Sequence, residues 1–269
     1  MNKFAIKDYI DKLIFGTYNI VTDVLLSVNF SVKKLIQKNS AFKNIHAGER
    51  CFILGTGPSL NDLNGDQIEK LKTEITFGVN SLYKSNVTSG LNPKYYTLVD
   101  NLYWETSSST FQEISDRYKP NSPIFVTDPR AKQIVDKLRL NQQAIYIYAK
   151  KYPTHKMDSE ITENIFGAMN VISYSILTAI YMGFHEIYLL GCDYNAFCGF
   201  GSGHCYDDKE EMTSVSYNLA FYLKYYHLTT EFHYLIAKLA AEKGVKVINL
   251  TKVSLLDAYP RHDPSVALY

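Results

Sequence analysis

The 269-residue sequence has little of several features that would quickly assign it to a class of protein. Its four cysteines are too few and too scattered for a disulfide framework, which favours a reducing compartment. The net charge is only +1, so the chain lacks the basic field of a nucleic-acid-binding protein. No secretory signal and no uncharged run of about 20 residues is present, so we expect a cytoplasmic protein without a membrane-spanning helix. The hydrophobic content of 46% is ordinary for a globular domain.

The first 45 residues have a character of their own. Apolar residues recur at helical spacing from Phe4 to Leu35, and lysines outnumber aspartates. We expect an amphipathic helical arm over residues 1–45. Two interpretations stay open: peripheral contact of residues 1–40 with the inner face of the plasma membrane, or packing against the domain or a second copy in a homo-oligomer.

From residue 46 to 269, short apolar runs alternate with longer amphipathic segments. Such alternation predicts an α/β fold, with a mostly parallel sheet and helices on both faces. The predicted strands are Arg50–Leu54, Ile75–Val79, Tyr95–Val99, Ile124–Thr127, Ala144–Ile147, Glu186–Leu190 and Val245–Asn249. The predicted helices include Asn61–Leu71, Val171–Met182 and Tyr217–Lys243.

A glycine-rich turn follows the first predicted strand. It consists of Gly55, Thr56, Gly57, Pro58 and Ser59. Two glycines permit a tight turn whose amides approach an anion, the serine adds a hydroxyl donor, and the next helix offers its positive end to a phosphate. The pattern is neither a P-loop nor a complete dinucleotide fingerprint, because leucine stands in place of the third glycine. It predicts a nucleotide or phosphate site, and the alternative is a simple strand-to-helix turn.

Polar residues also follow other predicted strands. Asn80 ends the second strand, Asp100 ends the third, and Gly191, Asp193 and Asn195 follow the Glu186–Leu190 strand. In open α/β sheets, ligands bind beyond the carboxyl ends of the strands. We therefore expect these residues to converge on one crevice, where they contact a ribose or a base.

Four segments resemble a known family: "ILGTGPSLNDL", "GVNSLY", "AIYMGFHEIYLLGCDYN" and "GHCYDD". Over about residues 50–257 the chain is similar to the bacterial family 42 sialyltransferases. It also resembles their relatives of "domain of unknown function 115" type, which include motility-associated glycosyltransferases and archaeal 6-hydroxymethylpterin diphosphokinases. The resemblance implies one Rossmann-like domain of modified GT-A type, with a lid loop near residues 196–216. It also implies a CMP-sialic acid donor and no metal requirement.

The resemblance implies roles for individual residues. The turn at 55–59 would lie against the donor's phosphate and ribose, although Thr56 replaces the usual asparagine. Asn80 would contact the donor. Asp100 stands where the sialyltransferases have asparagine. The long helix of the family opens with a Thr-Ser pair, and Asn170 and Val171 stand at those two positions here.

A further departure concerns the leaving group. Asn195 replaces the tyrosine that stabilises the leaving phosphate in the sialyltransferases, and Tyr194 and Tyr206 are the nearby candidates to substitute for it. This departure bears on the identity of the donor.

His204 is the candidate general base. It stands in "CGFGSGHCYDD", where a glycine-rich loop is suited to carry an imidazole over a bound donor. It also matches the family's base histidine in order and spacing. The alternative is a solvated loop histidine. Weaker candidates for the base are His185, His227, His233 and His262.

Metal sites are less well supported by the residue pattern. Cys198, His204 and Cys205 offer three ligands, fewer than a structural zinc site requires. Asp193 and the pair Asp207/Asp208 would suit Mg²⁺ if the protein transferred a diphosphate.

Three hypotheses follow. The first is a metal-independent inverting glycosyltransferase without a further cofactor. It would move sialic acid or a related acidic sugar from a CMP-activated donor to a glycan or glycolipid acceptor at the cell surface. The second is a Mg²⁺- and ATP-dependent diphosphokinase acting on a pterin-like alcohol. The third is a non-catalytic nucleotide-binding protein.

Overall fold

The computed structural model describes residues 3–140, 143–198, 203–208 and 218–269, and the side chains from residue 9 onward within these ranges. Nine strands are present there. They are β1 Arg50–Leu54, β2 Thr76–Val79, β3 Tyr95–Leu98, β4 Ile124–Thr127, β5 Ile145–Tyr146, β6 Ala149–Lys151, β7 Ile165–Phe166, β8 Glu186–Leu190 and β9 Lys246–Asn249.

Eight α-helices accompany these strands in the described ranges. They are α1 Lys3–Val28, α2 Phe30–Gln37, α3 Gly65–Leu71, α4 Leu102–Glu105, α5 Ser109–Arg117, α6 Lys132–Lys137, α7 Val171–Tyr181 and α8 Leu219–Glu242. Much of the predicted lid, residues 199–202 and 209–216, lies outside the described residues.

Seven strands form one parallel sheet in the order β5-β4-β3-β2-β1-β8-β9. The chain builds outward from β1 to β5, returns, and places β8 on the other side of β1. The switch point of this α/β sheet therefore lies between β1 and β8, where such folds bind ligands. Strands β6 and β7 form a separate parallel pair.

Side chains alternate between two hydrophobic cores, one on each face of the sheet. In β1, Cys51 and Ile53 belong to the core that also contains Ile176 of α7 and Ile236 of α8. Phe52 and Leu54 belong to the opposite core, under α3, α5 and α6. Strands buried on both faces have no polar side, which explains their continuous apolar runs. The predicted α/β fold with helices on both faces is confirmed.

The arm predicted at residues 1–45 forms α1, α2 and a 3₁₀ turn at Lys38–Phe42. Asn39 is buried and donates to the carbonyls of Tyr146 (2.7 Å) and Ile161 (2.8 Å), which ties the end of the arm to the sheet. No single described helix is long and apolar enough to cross a bilayer. Helices α1 and α2 satisfy that test only together, and they bend by 90° at the break between them.

The prediction was wrong after β1, where one helix was expected over Asn61–Leu71. A 3₁₀ turn occupies Pro58–Asp62, and α3 begins only at Gly65. Asn64 accepts from the Gln67 amide while the Gln67 side chain caps Asn64, so a capping box sets the start of the helix. Helix α3 therefore begins six residues after Ser59, the last residue of the glycine turn.

Candidate active site

A cavity of about 720 Å³ opens beyond the carboxyl ends of β1, β2, β3 and β8. These four strands contribute several of the residues that the sequence predicted to converge. From these strand ends, the cavity is lined by Gly55, Thr56, Gly57, Asn80, Asp100, Asn101, Gly191, Asp193 and Asn195. The predicted crevice is present, and it lies at the switch point of the sheet.

The glycine turn after β1 packs directly on the turn after β8. The amides of Gly55 and Gly57 donate to the carbonyls of Leu190 (2.7 Å) and Gly191 (2.8 Å). A Cβ atom at Gly57 would overlap the Asp193 carboxylate and lie 2.6 Å from the Gly191 carbonyl oxygen. Both glycines are thus required by close packing. Their amides, expected to meet an anion, are instead occupied by the neighbouring turn.

Asp193 locks the two turns together. Its carboxylate accepts from the Ser59 hydroxyl (2.6 Å) and from the Ser59 amide (3.2 Å). Burial raises the pKa of the Asp193 carboxyl, and the two bonds from Ser59 act in the opposite direction. The expected hydroxyl donor of the turn is therefore committed to Asp193.

Asn80 presents an unsatisfied acceptor at the cavity. It has a positive φ of 45°, a backbone region in which asparagine is enriched. Its Oδ1 atom is buried, and no donor among the described residues reaches it. A buried acceptor without a partner costs free energy, so a rotation of the Asn80 side chain toward a ligand donor in the cavity would be favoured.

Asn170 begins α7 at the cavity wall. Its side chain accepts from the amides of Ile172 (2.9 Å) and Ser173 (3.4 Å) and so caps the helix. Asn170 lines the cavity together with Met169 and Val171. Asn170 therefore lies at the cavity, where the sequence predicted it, and its side-chain oxygen caps α7.

His204 is paired with a buried carboxylate. Its Nδ1 lies 2.8 Å from Oδ2 of Asp208, which also accepts from the Gly203 amide (2.9 Å). Because a carboxylate only accepts, Nδ1 must carry a proton, and in the neutral ring Nε2 is then the basic nitrogen. The imidazole stacks on Tyr206, with ring centroids 5.0 Å apart.

The His204 segment is fixed to the glycine turn by backbone. The Cys205 amide donates to the Thr56 carbonyl over 2.8 Å, and both Thr56 and His204 line the cavity. The candidate base and the candidate nucleotide-binding turn are thus direct neighbours. This arrangement is compatible with a base that acts next to a ligand held at the glycine turn.

Aromatic side chains form the opposite wall of the cavity. They are Tyr174, Tyr194, Phe221, Tyr225 and Tyr226. The Tyr225 hydroxyl donates to the Met169 carbonyl (2.8 Å), and the Tyr194 hydroxyl is hydrogen-bonded to Thr229. Burial raises the pKa of Tyr226 to about 12, so this phenol stays protonated at neutral pH. Such a wall suits stacking on a heterocyclic base or contact with a sugar.

His233 is a buried histidine at the same wall, and the sequence ranked it among the weaker candidates. Its Nδ1 lies 2.9 Å from the Tyr259 hydroxyl and its Nε2 lies 3.3 Å from the Ser173 hydroxyl. Burial lowers its pKa to about 3, so the ring is neutral. Tyr225, Thr229 and His233 follow one another at intervals of four residues on α8. This spacing places them on one face of the helix and could have been recognised from the sequence.

Not all predicted site residues reach the cavity. Pro58, Ser59 and Tyr206 stand outside its described lining. Tyr206 is buried behind His204, and the Tyr194 hydroxyl is engaged by Thr229. Of the two tyrosines expected to replace the missing leaving-group tyrosine, Tyr206 is outside the cavity lining, whereas Tyr194 lines the cavity beside Tyr226 with its hydroxyl engaged by Thr229.

The carboxylates considered for Mg²⁺ have structural partners. Asp193 holds Ser59, and Asp208 holds Gly203 and His204. Within the described ranges, no three His, Cys, Asp or Glu side chains gather as a metal-binding group. Asp193 and Asp208 therefore do not fit a ready-made metal centre.

The chain belongs to the MptE-like family. The family model described as "6-hydroxymethylpterin diphosphokinase MptE-like" matches residues 26–197, well over half of the sequence. This match confirms the suspected superfamily. It covers β1 to β8 and ends before His204, and no curated protein matches the chain.

Solved structures with a similar course of the chain include two kinds of glycosyltransferase. The sialyltransferase CstII from Campylobacter jejuni in complex with CMP-3FNeuAc is 16% identical, with a TM-score of 0.49, covering 82% of this chain and 88% of CstII. The MAf glycosyltransferase from Magnetospirillum magneticum AMB-1 is 12% identical, with a TM-score of 0.47, and the match covers 87% of this chain and 39% of that protein.

Proposed function

We propose that the chain is an inverting glycosyltransferase that uses a nucleotide-activated sugar, with His204 as general base. The observation that carries this proposal is the His204–Asp208 pair (2.8 Å) on the wall of the switch-point cavity, one residue from the bond between Cys205 and Thr56. A base oriented in this way, beside the glycine turn at the switch point of the sheet, suits transfer to a hydroxyl group.

In the proposed reaction, Nε2 of His204 takes the proton of the acceptor hydroxyl. The hydroxyl oxygen forms a bond to the anomeric carbon while the bond from that carbon to the donor phosphate breaks. The phosphate leaves with the electron pair of that bond, and the single displacement inverts the anomeric configuration. Asp208 stabilises the imidazolium that forms.

The donor would lie between the glycine turn and the aromatic wall. Thr56 and Asn80 line the part of the cavity proposed for the nucleotide, and Tyr225 and Tyr226 are proposed to contact its base or the sugar. Asp100 is exposed at the end of β3, where a carboxylate suits a ribose hydroxyl. We extend the proposal to a CMP-linked sialic acid or a related acidic sugar, and to a glycan or glycolipid acceptor, on the resemblance of the sequence motifs. The cytoplasmic location stays a prediction.

Thermal unfolding with nucleotides tests the proposal. A ligand that binds only the native state raises its stability, by about 2.7 kcal/mol at 100 times Kd. We expect CMP to raise Tm in the absence of metal, in wild type and in His204→Ala alike. Turnover of a CMP-sugar should fall at least about 100-fold in His204→Ala. Full turnover in this variant would remove His204 from the mechanism.

A Mg²⁺- and ATP-dependent diphosphokinase is the second candidate, because the matching family model carries that description. His204 would again take the proton of a substrate hydroxyl. The oxygen of that hydroxyl would attack the β-phosphorus of ATP, with AMP as the leaving group. This candidate predicts that ATP with Mg²⁺, and not CMP, raises Tm. If no nucleotide changes Tm, both enzyme proposals fail. If a nucleotide binds but neither glycosyltransferase nor diphosphokinase activity is found, the non-catalytic alternative would be favoured.

A further inference from the structure

Among its described side chains, helix α1 contacts the domain through the face that carries Phe15, Asn19 and Asp23. Phe15 stacks on Tyr152 with ring centroids 3.7 Å apart, and Asn19 exchanges two hydrogen bonds with the Tyr152 backbone (3.0 and 2.6 Å). One turn later, Asp23 accepts from the Asn164 side chain (2.9 Å). These contacts set the rotation of α1 about its axis.

The opposite face of α1 is apolar and exposed. It consists of Ile10, Leu13, Ile14, Ile20, Val21, Val24, Leu25 and Val28, and it continues into Phe30 at the start of α2. Exposed fractions run from 48% at Ile10 to 78% at Phe30. At 100° per residue the α1 members project to the side away from Asn19 and Phe15. We call this set the α1 apolar face.

Charge is missing from the α1 apolar face. Between Lys12 and Lys33 the sequence has one charged residue, Asp23, and it is bound to Asn164. The outward side of α8 is different, because it carries the exposed charges Glu231 and Lys238. A contiguous exposed apolar surface of this extent marks an interaction site.

The charge of the arm indicates what covers this face. Residues 1–45 contain seven lysines and three aspartates, leaving 21 of the 28 basic and 24 of the 27 acidic residues for the rest of the chain. Contact through the same face of a second copy would bring two basic arms together, which is unfavourable. An anionic bilayer surface matches both the apolar face and the basic charge of the arm, which includes Lys33 and Lys34 shortly after Phe30.

We propose that the α1 apolar face lies on an anionic phospholipid bilayer, parallel to its surface, with Lys33 and Lys34 of α2 at the headgroups. The helix lies on the bilayer and does not span it, because its other face is bonded to Tyr152 and Asn164 and α2 turns away by 90°. This inference is independent of the proposed enzymatic function.

Sedimentation of the full chain with vesicles tests the proposal. We expect binding to phosphatidylcholine vesicles that contain about 30% phosphatidylglycerol, and weaker binding at high salt or without the anionic lipid. The double variant Val21→Gln/Leu25→Gln should bind at least tenfold more weakly with an unchanged Tm. Lys33→Gln/Lys34→Gln should reduce the dependence on anionic lipid.

A matched control replaces exposed apolar residues elsewhere. Leu223→Gln/Tyr234→Gln on α8 should bind vesicles like wild type. Equal binding by Val21→Gln/Leu25→Gln and wild type would overturn the proposal, as would wild type that stays in the supernatant. A third outcome is that the wild type self-associates without binding vesicles, and that Val21→Gln/Leu25→Gln loses this self-association. That outcome would show instead that the α1 apolar face joins two copies. Nucleotide-induced shifts in Tm report separately on the enzymatic proposal.

Discussion

The amide of Cys205 donates to the carbonyl of Thr56 over 2.8 Å, although the two residues belong to segments 149 positions apart in the chain. The bond places His204 at the rim formed by the glycine turn. A substitution that breaks this backbone bond is therefore expected to affect both nucleotide binding and proton transfer.

Asp208→Asn should impair turnover without removing the imidazole. An amide in this position can donate to Nδ1 of His204, which stabilises the tautomer that has its proton on Nε2 and cannot act as a base. We expect kcat to fall by about 100-fold or more while CMP affinity stays within about twofold. Steady-state kinetics and titration calorimetry measure the two quantities. The exposed neighbour Asp207 provides the control, since Asp207→Asn should retain activity.

Asn80→Gly should weaken nucleotide binding while preserving the fold. Glycine tolerates the positive φ of this position, so the change removes the amide without straining the backbone. Loss of one ligand hydrogen bond predicts about tenfold weaker binding in calorimetry. Asn44→Gly, at another positive-φ asparagine on the loop before β1, should leave affinity unchanged. Equal affinities of Asn80→Gly and wild type would contradict a role for the Asn80 side chain in the site.

Gly57→Ala should separate the two turns of the site. The added methyl group would overlap the Asp193 carboxylate, so we expect a loss of about 1–3 kcal/mol in unfolding free energy and weaker nucleotide binding. Gly65→Ala is the matched control, because a Cβ atom at the start of α3 meets no atom within 4 Å. Denaturant titration of both variants provides the comparison. A fully stable Gly57→Ala protein would show that the turns separate at little cost.

His233→Gln should reduce the sensitivity of stability to acid. The His233 pKa is about 3 in the folded protein against an ordinary value of 6.5. As the pH falls, His233 therefore takes up a proton in the unfolded chain before it does so in the folded protein. The stability that the neutral, buried ring provides is complete above pH 6.5 and is lost as the pH falls toward 3. At pH 5 the loss amounts to about 2 kcal/mol.

The measurement for His233→Gln is the difference in unfolding free energy between pH 7 and pH 5. We expect a smaller difference in the variant than in wild type. His46, whose pKa burial also lowers, contributes equally to both proteins and cancels. His227→Gln on the exposed side of the same helix should keep the wild-type difference, and an unchanged difference in His233→Gln would disprove the assignment.

The sheet was readable from the sequence because burial on both faces produces apolar runs. Ile124–Thr127 and Glu186–Leu190 were predicted with the bounds that the structure shows. The convergence of Asn80, Asp100 and Asp193 followed from a general property of parallel sheets. The short pair β6 and β7 was missed, since two or three residues carry no periodicity.

The partners of the site residues were not readable from the sequence. Ser59 and Asp193 are 134 positions apart, and both were predicted to serve the ligand. Their mutual bonds arise only when β1 and β8 become neighbours. The start of α3 was misplaced because Asn61 and Asp62 are as suitable for capping as Asn64, and the reciprocal bond from Gln67 decides among them.

The switch point between β1 and β8 also has a consequence for truncated forms of the protein. The cavity floor is assembled from a strand near the beginning of the chain and another that follows more than 130 residues later. A fragment that stops before Glu186 retains the glycine turn but not the Gly191 carbonyl that supports it. Ligand occupancy should therefore protect both halves from proteolysis together, and two complementary fragments should regain nucleotide binding only on reassociation.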